Sequence, residues 1–140
     1  LLDVYTTAGR ERLVCDVAAE LVADGAPKAS LVGYENHSGR TYLQKGATPL
    51  AKVRYGSGNN GADGYEGAVY KGLFGTYIHG PLLPKNPEFA DHLLQLALQR
   101  RYGQEAPVLN ALDDRLEQLA HEARLHPGEK RSWLARLLSI

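Results

Sequence analysis

The pattern of apolar residues changes at Pro81, and this change constrains the fold more than any other feature. Up to about residue 80 the chain is rich in β-branched and aromatic residues, separated by glycine, asparagine and aspartate. This composition is typical of strands joined by turns. We predict strands over Arg12–Val22, Ser30–Glu35, Leu50–Tyr55, Gly67–Tyr70 and Gly75–His79.

Beyond Pro81 the apolar residues recur at helical spacing. We predict a first helix that begins at Pro87, with Asn86 as its N-cap, and ends at Gly103. A second helix is predicted over Ala111–Leu125, and a short third helix near 133–138. Strands followed by helices indicate part of an α/β domain with a helical C-terminal tail.

Composition limits the possible partners. The 140 residues correspond to one domain, and the formal net charge of zero argues against nucleic acid or an anionic membrane surface. No apolar run approaches the roughly 20 residues that span a bilayer, so no membrane insertion is expected. The single cysteine excludes an intrachain disulfide, and with no signal peptide we expect a cytoplasmic protein. Because Leu1 opens what looks like a strand already under way, we expect a truncated or misplaced start.

His79 is the leading candidate catalytic residue. The apolar and aromatic run 73–78 delivers its imidazole to a Gly80-Pro81 corner, as expected for a general base held on a rigid strand. The alternative is a turn histidine that donates to a carbonyl group. A histidine base also needs a nucleophile, and the chain has no Gly-x-Ser-x-Gly or Gly-x-Cys-x-Gly turn. The sequence therefore predicts half of an active site.

A second candidate is the polar segment 33–41, predicted to be a loop at the end of a strand. It contains Glu35, His37 and Arg40 between glycines, and ligands bind at such strand ends in open α/β sheets. The alternative is a hydrogen-bonded loop in which Glu35 merely pairs with Arg40. Composition alone favours neither.

Three other patterns are predicted to be structural. The Gly-x-Gly-x-x-Gly match at 56–61 lacks a following helix and indicates a turn between strands. His121 and His126 are five residues apart, which points their rings in different directions on a helix, so a solvated face is expected. Cys15 lies in an apolar strand, where Asp16 would raise its pKa if close, and is not expected to be a nucleophile.

Five segments occur in a distinctive order along the chain: 2–6, 33–42, 58–60, 66–67 with Tyr70, and 75–87. Together they resemble the C-terminal half of class I glutamine amidotransferase domains of the CobB/CobQ-like type. Within that family the resemblance is greatest to the glutaminase subunits of lipid II isoglutaminyl synthases, and it covers about residues 1–103, with 104–140 as the helical tail.

The resemblance implies a flavodoxin-like fold for the complete domain. It implies a cysteine that attacks the side-chain amide of glutamine, and a histidine, here His79, that transfers the proton. It also implies that Arg12 handles the glutamine substrate, for which bidentate binding of the α-carboxylate would be suitable. No cofactor is implied for this chain. The implied partner is a MurT-like Mur ligase, which uses ATP and the released ammonia to amidate D-glutamate of lipid II.

The sequence departs from the family pattern in two places. Many members carry a glutamate two residues after the histidine, but here that residue is Pro81. The half of the domain that carries the nucleophile and its oxyanion hole is not in these residues. Two other hypotheses therefore stay open: a fragment of a cobyric or cobyrinic acid amidotransferase, and a non-catalytic binding module.

Overall fold

The computed structural model describes residues 1–125, and the predicted third helix and His126 lie outside them. Within this range the chain is a mixture of strands and helices, so the predicted α/β class is confirmed. No helix in the described range is long and apolar enough to cross a membrane. The elements are β1 (Val4–Leu21), β2 (Ser30–Leu43), β3 (Ala51–Tyr55), β4 (Tyr65–Glu66), β5 (Ala68–Tyr70), β6 (Leu73–Gly75), α1 (Pro87–Tyr102) and α2 (Arg115–Leu125).

The main sheet is antiparallel and has the strand order β2-β1-β3-β4. β1 and β2 form a long hairpin whose register shifts between Ala8 and Leu13. Both strands extend beyond the predicted ranges into a half of the hairpin where most residues are polar. There β1 is largely exposed, whereas β2 is mostly half-buried and Thr41 is buried. Without a continuous apolar face, no apolar alternation marks these residues as strand.

A second, two-stranded sheet consists of β5 and β6. The predicted strand Gly75–His79 is wrong for most of its length, since β6 ends at Gly75. Thr76 and the backbone N–H of Tyr77 instead donate to the carboxylate of Glu66, at 2.5 and 2.8 Å. His79 then forms an isolated antiparallel bridge with Tyr34 of β2.

The core lies between the main sheet and α1. Phe89 of α1 is buried, and Phe74 packs edge-on against it at a centroid distance of 6.0 Å. The other residues of the core cluster are small or aliphatic and come mostly from the strands: Val17, Ala19, Leu21, Ala23, Leu31, Leu50, Ala51 and Ile78.

The predicted bounds of α1 are confirmed, including Gly103 as the C-cap with φ of 61°. Asn86 stands at the N-cap, but its side chain does not cap the helix. Its Oδ1 accepts from the N–H of Val32 at 2.7 Å, and its Nδ2 donates to the carbonyls of Val32 and Leu82 at 2.9 and 2.7 Å. Asn86 therefore ties β2 to the segment that precedes α1.

The second helix, α2, begins at Arg115 rather than at Ala111. It contacts the sheet through His121, whose Nδ1–H donates to the carbonyl of Lys85 at 2.7 Å and whose Nε2 accepts from the Ser30 hydroxyl at 2.8 Å. The expectation that His121 lies on a solvated face is wrong, since both ring nitrogens are bonded and the residue is half-buried. The division at residue 103 stays a prediction.

Candidate active site

The backbone of His79 is hydrogen-bonded to β2, and its side chain is exposed. Its N–H donates to the carbonyl of Tyr34 at 2.7 Å, and the return bond from the Tyr34 N–H is longer, at 3.5 Å. Among residues 1–125 no side chain or carbonyl forms a hydrogen bond with the His79 imidazole, unlike the predicted alternative of a turn histidine that donates to a carbonyl. A ring nitrogen with no partner in the protein can exchange a proton with a substrate.

His79 shares one face of the sheet with residues of β1 and β2. Tyr34 is opposite His79 on one side and opposite Asp16 on the other, and residues opposite each other point to the same face. Asn36 lies two residues along β2 and so points the same way. This face is open to solvent, since the side chains of Val14 and Tyr34 are 61% and 41% exposed.

Arg12 reaches the same face through Asn36. Its Nε donates to Oδ1 of Asn36 at 2.7 Å, and one terminal nitrogen lies 3.4 Å from the Asn36 carbonyl. The Arg12 side chain is exposed. Because Asn36 contacts only one edge of the guanidinium, the remaining N–H groups are available to bind a carboxylate. The structure thus places a free imidazole and a partly anchored guanidinium on one open face.

The three other candidates lie elsewhere in β2, because segment 33–41 is a strand and not the predicted loop. Glu35 and His37 alternate with Tyr34 and Asn36, so they point away from the His79 face and are buried. Arg40 donates to the carbonyls of Ser38 and Glu11, each at 2.9 Å. The predicted alternative of a Glu35–Arg40 ion pair is therefore also wrong.

Glu35 is instead the centre of a buried network. Its Oε1 accepts from the thiol of Cys15 at 2.8 Å and from the N–H of Ser57 at 2.6 Å, while Oε2 lies 3.5 Å from Nε2 of His37. The Nδ1–H of His37 donates to the carbonyl of Gly39 at 2.9 Å, and the ring stacks on Tyr77 at 3.8 Å. These contacts give Glu35 and His37 a structural explanation that the sequence did not reveal.

Cys15 lies in the middle of β1. Burial, and next its hydrogen bond to Glu35, raise the pKa of the Cys15 thiol, while contacts with Ser57 oppose the shift. Asp16, the predicted cause, is on the other face of the strand and binds Arg124 with both carboxylate oxygens at 3.0 Å. A thiol with a raised pKa and a carboxylate neighbour has little thiolate at neutral pH. The geometry agrees with the expectation that Cys15 is not a nucleophile.

Sequence reasoning missed Glu66, whose side chain is fully buried in the fold. Burial raises the pKa of the Glu66 carboxyl, although the hydrogen bonds from Thr76 and Tyr77 oppose the shift. Its Oε2 has no hydrogen-bond partner among the described residues. Through these hydrogen bonds Glu66 fixes the segment that leads to His79. No local pattern predicts this role, because Thr76 and Tyr77 are 10 and 11 residues away in the sequence.

The predicted loop at 56–61 is confirmed as a connection between β3 and β4. Asn59 and Asn60 are buried within it and bond to backbone groups, including the carbonyls of Gly67 and Thr41, each at 2.9 Å. No helix begins there to hold a pyrophosphate. Nor do residues 1–125 contain a group of three or more histidine, cysteine, aspartate or glutamate side chains that could hold a metal ion.

Comparison with known proteins shows the family to which the chain belongs. The model of the CobB/CobQ-like glutamine amidotransferase domain matches residues 1–87. This match identifies residues 1–87 as part of a glutamine amidotransferase domain, and the observed mixture of strands and helices is consistent with it. The chain belongs to the CobB/CobQ-like family of these domains.

Two kinds of curated relatives are similar to the chain. One is subunit GatD of lipid II isoglutaminyl synthase (glutamine-hydrolyzing): the Staphylococcus aureus (strain N315) protein is 46% identical over 101 residues, which are 72% of this chain and 39% of the relative. The Streptococcus pneumoniae (strain ATCC BAA-255 / R6) protein is 46% identical over 86 residues, 61% of this chain and 33% of the relative. The other is the cobyric acid synthase of Pelotomaculum thermopropionicum, 34% identical over 144 residues, 90% of this chain and 26% of the relative. The chain thus spans about two fifths or less of the length of these relatives.

Proposed function

We propose that this chain belongs to a glutaminase subunit that supplies ammonia to a Mur-ligase-like partner of the MurT type, which amidates D-glutamate of lipid II in the cytoplasm. The observation that carries the proposal is that the His79 imidazole, which has no hydrogen-bond partner in the described residues, and the Arg12 guanidinium lie on the same open face of the sheet. The GatD relatives support the assignment, since their name specifies glutamine hydrolysis and lipid II.

In this account His79 takes the proton of a cysteine thiol as the sulfur attacks the amide carbon of glutamine. The proton then passes to the leaving nitrogen, so ammonia departs and a thioester forms. Water, deprotonated by the same imidazole, hydrolyses the thioester to glutamate and restores the thiol. Arg12 binds the α-carboxylate of glutamine with the N–H groups that Asn36 leaves free.

The attacking cysteine is not Cys15 in this proposal. The Cys15 thiol points to the buried face and donates to Glu35, whereas His79 is on the opposite, open face. We therefore assign the nucleophile to polypeptide outside the 140 residues. By this account the 140-residue chain alone releases no ammonia from glutamine, and measurable release would return Cys15 to consideration.

The experiment uses the product of the complete gene, expressed with and without a MurT-type partner. Glutamine hydrolysis is followed as ammonia release, and amide transfer by mass spectrometry of a lipid II substrate with ATP. We expect glutamine hydrolysis in at least one of the two preparations. Amidated lipid II should form only when both proteins are present. Absence of glutamine hydrolysis in both preparations would contradict the proposal.

A second candidate is an amidotransferase acting on a cobyric or cobyrinic acid precursor. The match to cobyric acid synthase favours it, because that match covers 90% of the chain and so extends into the helical tail. Replacing lipid II by a cobyrinic acid substrate in the same assay separates the two. Amidation of the corrinoid but not of lipid II would select the second candidate.

A further inference from the structure

The residue two positions after His79 cannot hold the imidazole in one orientation, so another residue must do so. Two residues after His79 the chain has Pro81, whose ring can neither accept nor donate a hydrogen bond. The carboxylate on the same face, Asp16, is bound through both oxygens by Arg124. Within the described part of the chain, no hydrogen bond fixes the orientation of the imidazole.

We propose that Tyr34 is the positioning residue for His79, a role that rests on the proposed glutaminase function. The two residues are directly opposite each other at an antiparallel bridge. Their rings are packed together, with centroids 5.6 Å apart and planes inclined by 31°. Aromatic rings in tilted or offset arrangements attract each other at centroid distances of about 4.5–7 Å. The tyrosine ring thus restricts rotation of the imidazole.

Two glycines allow this close approach. A Cβ at Gly33 would lie 2.3 Å from Cγ2 of Ile78 and 2.7 Å from the carbonyl oxygen of His79. A Cβ at Gly80 would lie 2.4 Å from Cε1 of Tyr34. Gly33, directly before Tyr34, and Gly80, directly after His79, must therefore lack a side chain for the pair to form.

The face of the Tyr34 ring, and not its hydroxyl, makes the contact. The hydroxyl has no hydrogen-bond partner among residues 1–125, and the ring covers both His79 and Gly80. Phenylalanine would therefore preserve the effect, whereas valine would keep the strand and remove the ring. This difference separates positioning from a general need for a tyrosine.

The test measures glutamine hydrolysis by the complete gene product and its Tyr34→Phe and Tyr34→Val variants. Tyr65→Val is the matched control, because Tyr65 is 40% exposed, close to the 41% of Tyr34, and lies in β4 at the other edge of the sheet. Misplacing a reacting group by about 1 Å can cost about 100-fold in rate. We expect Tyr34→Val to lower kcat by about tenfold to 100-fold with little change in KM. Tyr34→Phe and Tyr65→Val should stay near wild type.

A His79→Ala background separates positioning from a purely structural role, because only a structural role would lower the residual rate further. If Tyr34 acts through His79, adding Tyr34→Val to His79→Ala lowers the residual rate no further. An equal loss in both backgrounds would overturn the proposal, as would a normal kcat in Tyr34→Val or a loss in Tyr34→Phe as large as in Tyr34→Val.

An NMR measurement distinguishes failure of this proposal from failure of the proposed function. The imidazole protons of His79 should show a ring-current shift that persists in Tyr34→Phe and disappears in Tyr34→Val. An inactive wild-type protein with this shift would contradict the glutaminase function and leave the contact standing. An active protein whose His79 signals are the same in all variants would contradict the positioning role alone.

Discussion

The thiol of Cys15 donates a hydrogen bond to Oε1 of the buried Glu35 carboxylate, at a distance of 2.8 Å. The two residues are cross-strand partners in β1 and β2, so the sheet itself sets this contact. Partial burial raises the pKa of the Cys15 thiol, and the hydrogen bond to the Glu35 carboxylate adds to the effect. This geometry favours a structural role for Cys15.

Replacing Cys15 by serine should leave glutamine hydrolysis by the complete gene product unchanged, because a serine hydroxyl can donate to Glu35 in place of the thiol. The thiol of the folded wild-type protein should also react more slowly with a disulfide reagent at about pH 7 than the same thiol in urea, since burial and Glu35 raise its pKa. Loss of hydrolysis in a folded Cys15→Ser protein would contradict the structural assignment.

Replacing Glu66 by glutamine should change how stability depends on pH. Burial raises the pKa of Glu66 in the folded state, so the folded protein holds this proton more tightly than the unfolded chain. The contribution of the carboxyl to stability is then full below its unfolded pKa, about 4.3, and is lost as pH rises through the folded pKa. The free energy of unfolding of Glu66→Gln, relative to wild type, should therefore increase from about pH 4 to about pH 8.

Urea unfolding at several pH values checks this expectation, with Glu11→Gln as the control. Glu11 is exposed, and its replacement should leave the pH dependence as in the wild type. A difference between Glu66→Gln and wild type that stays constant or shrinks with rising pH would show that Glu66 is ionised in the folded protein.

Replacing Asn86 by alanine should destabilise the protein by about 3 kcal/mol, because it leaves buried backbone groups without partners at about 1–3 kcal/mol each. Those groups are the N–H and carbonyl of Val32 and the carbonyl of Leu82. Urea unfolding measures the loss. Asn110→Ala, at an exposed site, should change the free energy of unfolding by less than about 0.5 kcal/mol. Equal effects of the two substitutions would refute the role given to Asn86.

Replacing Gly33 by alanine should push the His79 segment away from β2, because the new Cβ would overlap Ile78 and the carbonyl of His79. We expect lower thermal stability and a fall in kcat of about tenfold or more, as for a misplaced general base. Gly46→Ala is the control, since its Cβ would meet only the side chain of Asp3. Normal activity in a folded Gly33→Ala protein would show that the close approach is not required.

Local signals in the sequence predicted α1 well. Pro87 and Gly103 act on the backbone next to them, so the bounds of the helix follow from a few adjacent residues. The outer half of the β1–β2 hairpin was missed because its residues are polar on both faces and are held by pairing with each other. Pairing between distant residues leaves no local pattern.

The candidate site was predicted only in part for the same reason. His79 stood out because an apolar run leads to it, whereas its contact with Tyr34 joins residues far apart in the chain. His121 was misjudged because its partner Ser30 is 91 residues away. A Glu35–Arg40 pair was an open alternative for a predicted loop at 33–41, but the segment is a strand whose alternation sends Glu35 to the buried face.

The central claim is that His79 is the general base for glutamine hydrolysis. The most direct measurement compares ammonia release by the complete gene product and its His79→Ala variant, with His92→Ala as a control from α1. We predict that His79→Ala lowers kcat by about 10²–10⁴-fold while the protein stays folded, and that His92→Ala keeps near-normal turnover. Near-normal turnover in a folded His79→Ala protein would contradict the account.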